Sequence, residues 1–196
     1  MDTFITLRKY IQNYIQLGPE EEDYFIKKFS KKKVVKRQIL LEPGQIAKHR
    51  NFVLEGALRA YVLGEDGQEH TISFAIEGWW ITDYQSLVFQ QPATQYVVAL
   101  EDSHLLQISF EDEEFLKSHS PKYETFFRKH AERALAYRYR RIITNLTLNA
   151  EDRYLDFLKN YPKVVLKVPQ YALASYLGMT TEFLSKIRHR QLLKRT

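Results

Sequence analysis

The sequence predicts an α+β protein: an antiparallel β-roll with flanking helices, a long helix, and a C-terminal helix-turn-helix domain. Three observations lead there. Turn signals interrupt β-favouring runs throughout residues 34–110, at the roughly 8 to 12-residue spacing of a sandwich or roll. Helical periodicity precedes that region and returns after it. The C-terminal stretch VPQYALASYLGMTTEFLSKIRHRQLLKRT places small and apolar residues where two short crossing helices need them.

The elements follow in order. Phe4, Leu7, Ile11, Tyr14 and Ile15 form one apolar stripe over residues 1–16, which predicts a helix. Leu17-Gly18-Pro19 ends it, and Pro19 opens a second helix to about Phe29, with Glu20 to Asp23 at its positive end. Lys31-Lys32-Lys33 leads into the first strand as a solvated edge. Glu42-Pro43-Gly44, Glu55-Gly56, Glu65-Asp66-Gly67 and Glu77-Gly78 then separate strand-like runs, with Asp66-Gly67 as a hairpin signal. Trp79 and Trp80 are expected to fill the core of the roll.

Residues 111–118 predict a short helix, and Pro121 opens a long one to about Asn145. On it Phe127, Ala131, Ala134 and Arg138 fall four, three and four residues apart, a stripe expected to form a dimer contact. The plainer alternative is packing against the chain's own β domain. A further helix over 150–161, capped by Asn149, ends at Pro162, and the short run Val164–Val168 leads into the final pair. The implied domains are residues 1–120, 121–146 and 147–196.

In the final pair, Ala174 sits where the helices touch and Gly178 supplies the left-handed turn. Leu173, Leu177, Met179, Leu184 and Ile187 provide the apolar contacts. Thr180, Thr181, Glu182, Ser185, Lys186 and His189 remain on the outward face, followed by Arg188 and Arg190. Hydrogen-bonding side chains at this spacing suit a major groove. Thr180 is read as the cap of the second helix. For Glu182 the alternative is a favourable charge at a helix N-terminus.

Charge agrees. From Arg128 onward there are 15 Lys+Arg against 5 Asp+Glu, whereas residues 1–127 carry 14 against 19. A basic C-terminal third raises phosphate affinity by counterion release. The chain has no cysteine, so disulfides, thiolate zinc sites and thiolate-held clusters are excluded. With no long apolar run and no apolar signal core, the expectation is a soluble cytoplasmic protein with no membrane partner.

The segments FVLEGALRAYVLGEDGQEHTISFAIEGWW, AEDRYLDFL and VPQYALASYLGMTTEFLSKI together resemble the Crp/Fnr family of transcription regulators over nearly the whole chain. The resemblance implies a cyclic-nucleotide-binding-type roll, a dimerising helix and a DNA-reading domain. It also implies a homodimer on a pseudo-palindromic duplex, with transcription regulation as its task. The Fnr-like spacing E-x-x-S-R reads Glu182-Phe-Leu-Ser185-Lys186 here, giving Glu182 a cytosine amino group and Lys186 a guanine edge. Lysine at 186 lacks the bidentate fork of arginine. The family's β-hairpin wing is expected to be truncated or missing, since only a few residues, ending Lys194-Arg195-Thr196, follow the recognition helix.

In the family's cyclic-nucleotide binders, Gly-Glu is followed ten residues after the Glu by Arg-Ser or Arg-Thr. The Glu meets the ribose and the Arg the phosphate. Those positions are Thr82-Asp83 and Ala93-Thr94 here. Losing the arginine forfeits a charge-assisted bond of roughly 1.5 to 3 kcal/mol, so cyclic AMP is not the expected ligand. Thr82, Asp83 and Thr94 remain candidate contacts for another small-molecule effector, with Asp83 otherwise a turn or surface residue. No cofactor is expected. The alternative is an effector-independent regulator whose roll is a scaffold or docking module. A cupin-like enzyme is disfavoured, because histidines at 49, 70, 104, 119, 130 and 189 form no His-x-His pair. No catalytic residue and no metal ligand is assigned.

Overall fold

A computed structural model describes residues 4–193. Two helices, α1 (Ile5–Gln12) and α2 (Pro19–Ile26), precede the strands β1 (Ser30–Val34), β2 (Ile39–Leu41), β3 (His49–Glu55), β4 (Ala57–Leu63), β5 (Glu69–Ile76) and β6 (Trp80–Ile81). A short helix α3 (Tyr84–Phe89) interrupts them before β7 (Tyr96–Ala99) and β8 (Ser103–Ser109). The helices α4 (Phe110–His119), α5 (Pro121–Thr147), α6 (Ala150–Asn160), α7 (Pro162–Lys167), α8 (Gln170–Tyr176) and α9 (Thr181–Leu193) complete the chain.

The strands form two antiparallel four-stranded sheets, ordered β1-β8-β3-β6 and β2-β7-β4-β5. Alternation turns Val53, Leu58, Ala60, Val97 and Leu105 inward, and these residues make the dry interior of the roll. The β4–β5 turn runs through Asp66-Gly67 as the sequence predicts. Between β3 and β4, Gly56 adopts φ +104° and lies against Ser103, where an added Cβ would come within 2.1 Å of the hydroxyl. Only glycine fits that close approach.

Two further cores flank the roll. Outside the first sheet, Leu7 and Ile11 of α1, Phe25 of α2 and Phe126 of α5 pack on Phe52, Leu106 and Ile108. On the other side, Phe74 and Ile76 of β5 join Tyr154, Phe157, Leu173, Leu184 and Ile187 of the C-terminal helices. Trp80 belongs to the first of these, against Phe52, Tyr10 and His130, rather than to the roll interior. Trp79 is 37% exposed and meets Tyr161 edge-on. The expectation that both tryptophans fill the roll is therefore corrected: each sits at a seam where the roll receives helices.

Two helices escape the sequence pattern. α3 spans six residues, too short to show a period, and starts on the side chain of Asp83. α7 begins at Pro162, where the preceding helix ends, so one proline serves both as stop and as first residue. Elsewhere Asn149 caps α6 through the amide of Asp152 (3.0 Å), as expected.

Candidate nucleic-acid interface and ligand cassette

α8 and α9 meet across a turn in which Gly178 adopts φ +66°. Ala172, Leu173, Ala174 and Leu177 from one side and Leu184 and Ile187 from the other are buried together. The Thr180 hydroxyl accepts from the Phe183 amide (3.2 Å), capping α9. At about 100° per residue, the rows holding Leu184 and Ile187 fix the inner side of α9. Glu182, Lys186 and His189 then share the row that points directly away from that core, and all three are exposed. Ser185 and Arg190 flank this row, whereas Thr181 and Arg188 stand nearer the core side.

Two of these residues have intramolecular partners. The Glu182 carboxyl is held below its usual range by its own backbone amide, then by the Thr180 hydroxyl and the charge of Lys186. It therefore stabilises the start of α9 while remaining accessible. Arg190 lies 3.4 Å from Glu151 of α6, so part of its charge is answered within the chain. Lys194, Arg195 and Thr196, on which the expectation about a wing rests, lie outside the described residues.

The pair α8–α9 is tied to the roll along β5, an edge strand. The Ser175 hydroxyl accepts from the Thr71 amide (2.9 Å) and donates to the Glu69 carbonyl (2.6 Å). Arg141 of α5 donates to the carbonyls of Thr71 (3.0 Å), Ile72 and Tyr176 (3.0 Å), joining α5, β5 and α8 at one guanidinium. Its ring partner is Tyr176, 3.9 Å away. Sequence reading gave no sign of this residue, because nothing in its neighbours along the chain announces three carbonyls from elsewhere.

α5 is about 40 Å long at 1.5 Å per residue. The stripe expected for a dimer contact is only partly available. Phe127 is 3% exposed and packs on Phe25 and Phe126 of its own domain, which corrects its assignment. Ala131 and Ala134 are half-buried and Arg138 is exposed. The large apolar residues exposed on α5 are Leu135, Tyr137, Tyr139, Ile142, Ile143 and Leu146, and of these Leu135, Tyr139, Ile142 and Leu146 are spaced four, three and four, with Leu146 81% exposed. This row is rotated by about 80° from the expected one.

In the roll, Thr82 is half-buried and donates to the His49 carbonyl (2.9 Å). It borders an open cavity of about 460 Å³ lined by Leu41, Ala47, Val97 and the polar groups of His49, Asn51 and Gln107. Partial desolvation lowers the pKa of His49, whose side chain still reaches the surface. Asp83 is not at the surface: it is wholly buried, which corrects the expected turn or surface position. One carboxylate oxygen accepts from the amides of Gln85 (3.1 Å) and Ser86 (3.2 Å), the other from those of Thr94 (3.0 Å) and Gln95 (3.3 Å). Thr94 is exposed and Ala93 buried. The three candidate residues thus converge, but Asp83 faces the chain itself.

No group of three or more metal-binding side chains occurs among the described residues. No helix among them is long and apolar enough to cross a membrane.

Comparison with known proteins follows the same outline. Residues 31–118 match the model of the cyclic nucleotide-binding domain. The anaerobic regulatory protein of Pasteurella multocida is 23% identical over 168 residues, covering 80% of this chain and 61% of that protein. The chain thus spans less than two thirds of the length of the curated relatives it matches. FixK2 from Bradyrhizobium japonicum superposes with a TM-score of 0.75 at 16% identity, over 85% of each chain. A Crp/Fnr-family transcriptional regulator from Thermus thermophilus superposes with a TM-score of 0.67 at 20% identity, over 84% of this chain and 87% of that one. Of these, the Thermus thermophilus protein is a transcriptional regulator and the Pasteurella multocida protein a regulatory protein.

Proposed function

From a cyclic nucleotide-binding domain at residues 31–118, we propose that this chain is a Crp/Fnr-type regulator that binds a pseudo-palindromic duplex as a homodimer. The observation that carries the reading is the outward row Glu182, Lys186 and His189 on α9. It combines a carboxylate for a cytosine amino group, an ammonium for a guanine edge and an imidazole, on a helix buttressed by Leu184 and Ile187. The surrounding basic excess supplies sequence-independent attraction to phosphates.

The dimer forms along α5 through Leu135, Tyr139, Ile142 and Leu146, whose four-three-four spacing suits a helix–helix seam. Residues 1–120 then act as the regulatory module, 121–146 as the dimer helix and 147–196 as the reading head. Twofold symmetry sets half-site centres roughly 34 Å apart. The effector is a small molecule other than cyclic AMP. Supporting this are Ala93 at the arginine position and a roll cavity lined by amide, hydroxyl and imidazole groups.

Selection of bound duplexes from a random pool, with purified protein and no added ligand, tests the reading. Enrichment of an inverted repeat is expected. Salt-sensitive retention of all duplexes without a motif would overturn sequence-specific recognition by the ligand-free protein.

A further inference from the structure

The cassette carries an arrangement that the regulator reading does not use. Four backbone amides from two separate limbs converge on one carboxylate. Gln85 and Ser86 open α3, while Thr94 and Gln95 precede β7, and between them the two oxygens of Asp83 take every bond. Asp83 itself is fully buried. The two limbs are also stitched to the 42–47 loop. Ser86 Oγ accepts from the Ala47 amide and donates to the Gln91 carbonyl, and Ala93 exchanges backbone bonds with Gly44 and Gln45. The carboxylate is the centre of a small closed assembly.

A set of converging amides of this kind is what a bound anion would need. Aligned by sequence, Asp83 and Ala93 are the positions from which cyclic-nucleotide binders address the ribose and the phosphate, and Thr94 follows the second of them. We propose that Asp83 is a resident stand-in for a ligand's anionic group. The chain fills its own anion cradle, so the cassette stays closed without a phosphate-bearing effector and excludes one. Ala93 completes the logic: with a carboxylate already inside, an arginine opposite it has no external anion to meet. The specificity consequence is concrete. No effector seats an anionic group on these four amides, and cyclic nucleotides are refused by occupancy, not only by the missing arginine.

The inference rests on the regulator reading only for its DNA arm, so heat stability is read without DNA. Asp83→Ala is expected to melt several degrees below the wild type. Sodium formate, at ionic strength matched with chloride, is expected to restore part of that loss in the variant and to leave the wild type unchanged. Should Asp83→Ala not fold, Asp83→Asn keeps the shape but turns an NH₂ toward two amides, and it is expected to melt lower as well. Equal melting of the wild type and the folded variants, or formate acting alike on both, overturns the proposal. So does a concentration-dependent rise in the wild-type melting temperature with cyclic AMP. In the DNA arm, wild-type affinity for the selected duplex is expected to be the same with and without cyclic AMP. A protein that binds no DNA defeats the regulator reading and leaves the thermal result standing.

Discussion

The hydroxyl of Tyr10 lies 2.8 Å from Nδ1 of His130, and this contact joins the first helix of the protein to its longest one. Tyr14 continues the chain of hydroxyls at 2.9 Å. Burial, with Arg50 and Arg133 adding repulsion, lowers the pKa of His130 to about 3. The imidazole is therefore neutral in the folded protein while the unfolded chain titrates near 6.5.

The sign follows from linkage. Below pH 6.5 the unfolded state binds a proton that the folded state refuses, so stability falls with acid by up to about 1.4 kcal/mol per pH unit until the folded pKa is reached. Denaturant unfolding at pH 6.5 and pH 5 is expected to show the wild type losing about 2 kcal/mol more than His130→Phe. Equal losses would mean that His130 is solvated in the native state.

Arg50 and Glu113 form an ion pair at 2.9 Å with both side chains almost fully buried, and Arg50 Nε and Glu113 Oε2 have no further hydrogen-bond partner. Lys117 also reaches Glu113, at 2.7 Å. Removing Glu113 strands Arg50, whereas Glu113 without Arg50 keeps Lys117. Glu113→Ala is expected to cost about 3–5 kcal/mol in urea unfolding, and Arg50→Met with Glu113→Leu less than that single change. A double variant weaker than the single would contradict the picture of a pair whose desolvation offsets most of its attraction.

Arg141→Ala is expected to loosen the reading head without touching DNA. Three carbonyls lose their donor, about 1.5–3 kcal/mol for a charged hydrogen bond. Hydrogen exchange is expected to quicken in β5 and α8 and to stay unchanged in α1 and α2. Uniform acceleration would show a global rather than a local effect.

For the dimer seam, Ile142→Glu with Leu146→Glu is expected to give a monomer by sedimentation, with melting of the monomer fold retained. Phe127→Ala is expected to do the reverse, losing about 3–5 kcal/mol of stability while the oligomeric state persists. A dimer that survives both glutamates would move the interface elsewhere.

Glu182→Ala is expected to relax discrimination at one base pair by about 1–3 kcal/mol, measured by competition between single-substituted duplexes. Unchanged preference would leave Glu182 as a helix-start charge alone, the role its bond to its own amide already gives it.

Much of this architecture is legible in the chain. Turn residues and alternation mark the roll, and the Ala174, Gly178, Leu184 and Ile187 pattern marks the terminal helix pair, because each depends on residues close in sequence. What stays hidden is set by contacts between distant segments. Phe127 falls on a plausible seam by spacing, yet Phe25, a hundred positions earlier, covers it. Asp83 reads as a turn residue until the amides of Thr94 and Gln95 fold back on it. Trp79 and Trp80, adjacent in sequence, end in different seams because Trp80 opens β6 against Phe52 while Trp79 stands before the strand, just after the turn at Gly78, and meets Tyr161.

The two sheets guard their borders by different means. β1 presents Lys31, Lys32 and Lys33 on an open rim, where like charge keeps a second rim away. β5 has no such fence: its Thr71 amide and its Glu69, Thr71 and Ile72 carbonyls are bonded to Ser175 and Arg141, which belong to the helices. A roll stripped of its C-terminal helices would expose a sticky strand with Phe74 and Ile76 beside it. The helix pair proposed to read DNA is thus also the roll's guard against self-association, and losing the one task entails losing the other.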